Sequence, residues 1–217
     1  MIGGVFECLK AELLNNGFVK TNSEHRLKSP DNTMIDIIPF GEIADSYSNI
    51  KWPPKGAFEM NVLGFQEAYA HALQVVIQEN PLFKIPVVSP KGMVLLKLIS
   101  WSERGINLRK KDARDFVYIL ENYKHVSDIS ERIYDEVDME KYNWEISLAS
   151  AHILGYDSAV IAKIQTKNKI IQILNDNLKF DTGNKLVEEM CNDIEKEYLE
   201  KFELLQAFKN GFVSAQS

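Results

Sequence analysis

The chain has 217 residues, 45% of them hydrophobic and 26% charged, the composition of an ordinary globular protein with enough apolar content for one large domain or two small ones. Its formal net charge of −6 argues against non-specific nucleic-acid binding through the overall field and leaves room only for a local basic patch. Cys8 and Cys191 lie far apart, with no CxxC and no histidine at ligand spacing, so neither a disulfide framework nor a zinc site is indicated and a reducing cytoplasm is expected.

The first residues, Met1 to Glu7, lack the basic region and long apolar run of a signal peptide. No apolar stretch reaches the roughly 18 residues of a membrane span, which points to a soluble chain without a membrane partner. From Val5 to Asn16 the residues Val5, Phe6, Leu9, Leu13 and Leu14 recur at helical spacing, and Asn15-Asn16-Gly17 supplies a stop. Next, His25 to Lys28 and Met34 to Phe40 flank Ser29-Pro30-Asp31-Asn32, a turn composition, which predicts a strand pair whose second member is central in a sheet. Gly41 to Gly56, polar and aromatic with Pro53-Pro54 after Trp52, predicts a surface loop or lid. Shorter strands follow at Phe58 to Val62, Leu73 to Gln78 and Lys84 to Val88, with a helical turn at Phe65 to His71. Residues 1–89 thus read as an α+β domain.

Ser89-Pro90 marks a change, with Ser89 placed as an N-cap and Pro90 at the first helical position. Helices are expected over Lys91 to Arg104, Lys111 to Tyr123, Asn143 to Leu154, Ser158 to Leu178 with a break, and Gly183 to Phe208. Residues 90–217 therefore form an all-α region, and the fold class is α+β followed by helices.

Two charges stand out against this pattern. Asp36 sits in the apolar run Met34-Ile35-Asp36-Ile37-Ile38, where alternation puts it on one face with Met34, Ile38 and Phe40. A carboxylate on a central strand either holds a divalent metal or bonds a neighbouring cation or amide. Lys97 sits in the apolar helix run Met93 to Ile99, and with Trp101 and Arg104 at i+4 and i+7 it forms a candidate anion-binding stripe. The competing reading of Lys97 is a salt bridge to Asp115 across a helical hairpin. Arg109-Lys110-Lys111 could touch phosphates, although such runs are more often solvated, and Asp112 is placed to complement a helix dipole. His25, His71, His125 and His152 show no metal spacing, and GxGxxG, P-loop, GxSxG and HExxH patterns are absent.

Taken in order, Ile35-Asp36-Ile37-Ile38-Pro39-Phe40-Gly41, Trp52-Pro53-Pro54, Gly64-Phe65-Gln66-Glu67-Ala68, and Lys97 to Trp101 through Arg104 to Lys111-Asp112-Ala113-Arg114-Asp115 resemble the AbiEii/AbiGii toxin group of nucleotidyltransferase-like proteins. The resemblance covers roughly residues 5 to 176. It implies a palm-like mixed sheet followed by a helical region, with a nucleoside triphosphate and Mg²⁺ in the cleft between them. Asp36 would then be the catalytic, metal-binding carboxylate, Lys97, Arg104 and Lys111 would lie on the triphosphate side, and Asp112 and Asp115 would occupy its acidic positions. The implied chemistry is nucleotidyl transfer to an RNA or protein hydroxyl with two metal ions, in a protein neutralised by an antitoxin. This sequence departs from the family in lacking a Gly-Ser and Asp-x-Asp segment upstream of Asp36. The expectation is that the palm is incomplete: the missing strands lie before Met1, come from a partner chain, or are gone from a remnant that binds nucleotide without catalysing or serves as an interaction module.

Overall fold

The structure is a computed structural model that describes residues 4–52, 58–179 and 183–215. Two compact units emerge, Met1–Gln66 and Glu67–Ser217, so the division falls before the Ser89-Pro90 boundary read from composition.

In the first unit, α1 (Gly4–Asn15) turns Phe6 inward and ends where the sequence predicts, at Gly17 with φ of 87°. Three short strands, β1 (Val19–Lys20), β2 (Arg26–Lys28) and β3 (Met34–Asp36), form an antiparallel sheet in that order. The β2–β3 hairpin and its turn match expectation, with Asn32 taking up the left-handed conformation at φ of 70°. The position of β3 does not. It is an edge strand with all three residues exposed, and regular pairing stops at Asp36. The continuous apolar run misled because Ile37, Ile38 and Phe40 leave the strand and pack on a core of Phe6, Ile50, Trp52 and Val62. The 41–56 segment, expected as a loop or lid, contains β4 (Asn49–Trp52), which pairs with β5 (Phe58–Asn61). Alternation explains β4, since Ile50 and Trp52 are both buried while Lys51 between them is exposed. Pro53, Pro54 and Gly56 lie outside the described residues.

The second unit opens with α2 (Phe65–Ala70), of which its first residues belong to the preceding unit, and with a hairpin of β6 (Leu73–Gln78) and β7 (Phe83–Val87). Helices then follow from Pro90 onward: α3 (Pro90–Glu103), α4 (Ile106–Asn122), α5 (Ile129–Glu136), α6 (Ile146–Ile161), α7 (Ile164–Asp176), α8 (Lys185–Met190) and α9 (Ile194–Ser214). The all-α character matches expectation, but α5 was not expected, α6 runs on through the gap expected after Leu154, and the single helix expected from Gly183 to Phe208 is divided into α8 and α9. Ser89 holds the N-cap position of α3, but its hydroxyl makes no cap bond; its carbonyl accepts from the Met93 amide instead. α6 is buried on nearly every side, through Ala149, Ala151, Ile153, Leu154, Gly155 and Ala159. Small residues there let α9 approach closely, and Phe208 of α9 meets Phe116 of α4 edge to face at 5.4 Å.

Candidate functional site

Lys97, Arg104, Asp112 and Asp115 come together at the α3–α4 hairpin. The Lys97 ammonium donates to Asp115 Oδ2 at 2.6 Å and to Asp112 Oδ1 at 3.2 Å. Arg104 Nη1 donates to the other oxygen of Asp112 at 2.8 Å. Helical spacing produces this meeting: Lys97 lies two turns before Arg104, the C-cap of α3, and Asp112 and Asp115 are three residues apart on one side of α4. Asp112 is 1% exposed and holds both cations, so its desolvation is offset by charge-assisted bonds on each oxygen. Lys97 was expected in a fully apolar helix. Its side chain instead lies at the polar margin of α3, 22% exposed, while Leu95, Leu98 and Ile99 carry the buried face.

Beside this network the Trp101 indole donates to Glu189 Oε2 at 2.7 Å, and Arg109 grips the same carboxylate while lying 5.6 Å from the Trp101 ring centre. Arg109 is therefore spent on α8 rather than offered with its neighbours to phosphate. Glu189 carries no local sequence signal, being one acid in the polar run 188–189 at a separation of 80 residues from Arg109. Lys111 is exposed and makes no hydrogen bond or ion pair among the described residues.

Asp36 belongs to the other unit. It stands directly across the β2–β3 ladder from Arg26, which bonds both carboxylate oxygens, Nε to Oδ1 at 2.6 Å and Nη2 to Oδ2 at 2.8 Å. The charge expected on a buried apolar face is thus a solvent-accessible cross-strand pair. That set does not fit a resident magnesium site, because each Asp36 oxygen is already bonded to a guanidinium and, among the described residues, Asp36 belongs to no group of three potential metal ligands. Among the described residues no three His, Cys, Asp or Glu side chains group as metal ligands, and no helix is long and apolar enough to cross a membrane.

A second polar cluster was not anticipated from sequence. Arg132 of α5 bonds both oxygens of Asp157 on α6 and also Glu136, while the Tyr123 hydroxyl donates to Asp157 Oδ2 at 2.8 Å. Burial pushes the Asp157 carboxyl up, but the bonds from Arg132 and Tyr123 outweigh it and hold the group below its ordinary value. Nearby His152 shares a 2.8 Å hydrogen bond with Tyr142, and burial, aided by Lys141, lowers the pKa of its ring. Both shifts mean that the unfolded chain binds more protons than the folded one, so stability falls as pH falls. For His152 the loss starts below the ordinary value of 6.5, and for Asp157 it starts below 3.8. Thermal melts from about pH 7.5 to about 5 should show a declining midpoint that His152→Gln flattens; a wild-type profile level across that range contradicts the assignment.

Comparison with protein-family models, curated proteins and solved structures gives no match for this chain.

Proposed function

We propose that the chain is a nucleotidyltransferase-like protein that binds a nucleoside triphosphate at the α3–α4 hairpin, with Lys97 and Arg104 as the phosphate-side cations. The observation that carries this reading is convergence: residues up to 18 positions apart, assigned by resemblance to one binding surface, form one hydrogen-bonded network. The Arg104 side chain is 48% exposed and Asp115 39%, so a polyanion can reach Arg104 and exchange with Asp115 for Lys97 while Asp112 stays in place. Lys111, exposed on the same helix as Asp112, adds a further positive charge to that surface. Magnesium would arrive with the triphosphate rather than reside on Asp36.

The proposal is confined to binding, because two-metal transfer requires more than one carboxylate and Asp36 is engaged by Arg26. Transfer to an RNA or protein hydroxyl and neutralisation by an antitoxin rest on the resemblance alone. Calorimetry with the four ribonucleoside triphosphates, with and without Mg²⁺, tests the reading. Arg104→Ala should weaken binding about tenfold, the worth of one charge-assisted contact in the middle of its range. No heat with any triphosphate sinks the proposal, and equal affinity in Arg104→Ala removes the site. Transfer of label from an α-labelled triphosphate to RNA or protein would extend binding to catalysis.

A further inference from the structure

The β6–β7 ribbon stands alone, and among the described residues neither strand pairs with a third. Every residue of β6 is exposed, as is every residue of β7 except Ile85. The register sets Leu73 opposite Val87 and Val75 opposite Ile85, so these four share a face, which Phe83 extends beyond Ile85. That face carries no ionisable side chain; Lys84, the one charge in either strand, belongs to the other. Leu73, Val76, Ile77 and Phe83 are each about half exposed, and Leu82 in the connection is 64% exposed. Side chains of this size and exposure, spread over both faces of the ribbon because Val76 stands opposite Lys84, leave roughly 600 Å² open in all, the upper end of what monomers expose.

The edges differ. β7 contains Pro86, which lacks a donor, whereas β6 reads Leu73-Gln74-Val75-Val76-Ile77-Gln78 with no proline, glycine or charge. Edge strands in soluble proteins are normally blunted by such residues, and β6 is not. A two-stranded ribbon is also marginal by itself and gains independent stability from further strands.

We propose that β6 is the seam of a homodimer, in which two copies of the chain pair antiparallel along β6 about a twofold axis to form a four-stranded sheet. A second copy is the occupant that these features select. A strand paired antiparallel with itself closes under twofold symmetry and leaves neither copy with an open β6 edge. The two uncharged faces then join into one apolar surface, and the outer edges of the new sheet are the Pro86-bearing β7 strands. This assignment does not depend on nucleotide binding.

Light scattering of the full chain after size exclusion should give twice the 24.8 kDa monomer mass at about 100 μM. Val75→Lys with Ile77→Lys, at positions exposed in the single chain, should weaken the dimer about 100-fold by placing like charges across the seam. Mixing that protein with Val75→Glu/Ile77→Glu should restore a mixed dimer. A monomeric wild type, or a dimer indifferent to the lysines, overturns the proposal. If the variants fail to fold by circular dichroism, amide exchange of the wild type decides: β6 protection that rises with protein concentration supports the seam, and protection independent of concentration refutes it.

Discussion

Gly211→Ala is expected to destabilise the helical unit by about 2 to 3 kcal/mol, because among the described glycines it and Gly155 are the two whose added methyl would strike the backbone of a facing helix. A Cβ at Gly211 would overlap the His152 carbonyl oxygen and stand 2.7 Å from its carbon. The reciprocal position, Gly155, would drive a Cβ into the Phe208 carbonyl oxygen and to 2.9 Å from the Phe212 amide nitrogen. These neighbours are helix backbone, which cannot swing aside as a side chain can, so α6 and α9 must separate. Separation strips contacts from Phe208 and Phe212, both fully buried. Helix propensity acts in the opposite direction, since alanine is favoured over glycine by about 1 kcal/mol in a helix interior. The sign of the measured change therefore decides between the two effects. Urea denaturation of Gly211→Ala and Gly155→Ala should show losses of similar size, with a double variant less than additive because one separation of the helices relieves both clashes. A Gly211→Ala protein as stable as the wild type would mean that the crossing is looser than described.

The same crossing shows why some of the fold was legible and some was not. Helices α3, α4, α6, α7 and α9 declare themselves through apolar periodicity, and Gly17 and Pro90 mark boundaries through backbone chemistry that holds whatever the tertiary context. α5 was missed because its eight residues bury only Ile129 and Ile133, too few to establish a period. The strand run through Asp36 misled for a different reason. An apolar run that is locally indistinguishable from a central strand can instead leave the sheet and fill a small core, and only the partner residue reveals which has happened. Arg26, ten positions earlier, is that partner, and its spacing to Asp36 is set by the hairpin turn rather than by any local period. At the α3–α4 hairpin the reverse holds. Helical spacing placed Lys97 and Trp101 on one side of α3 and Asp112 beside Asp115 on α4, because positions three and four apart on a helix are neighbours in any fold, and the Lys97–Asp115 bridge was one of the two readings of Lys97. The convergence of Arg104 with Lys97 on Asp112 required the angle between two helices, which spacing alone does not supply. Glu189 and the Arg132–Asp157 pair join distant elements, and no local pattern encodes them.

Lys97→Met is expected to cost about 2 kcal/mol, because it leaves Asp112, 1% exposed, with Arg104 as its remaining cation. Asp115 is partly solvated and tolerates the loss of its partner, so the penalty belongs mainly to the buried carboxylate. Arg104→Met should cost a similar amount, since Arg104 holds the other oxygen of the same buried carboxylate at 2.8 Å and little water reaches it there. Adding Asp112→Leu to Lys97→Met should recover part of the loss, as removal of both partners leaves no uncompensated charge. This series also separates a structural network from a binding one. If the charges serve only the hairpin, triphosphate leaves every melting temperature unchanged and the substitutions order by stability alone. If Lys97 contacts phosphate, triphosphate at about 100 times its Kd should stabilise the wild type by about 2.7 kcal/mol. Lys97→Met would then lose that ligand-dependent gain in addition to its own stability. The double variant, with stability regained and the ligand response still absent, would place the nucleotide contact on the same ammonium that holds Asp112 to the fold.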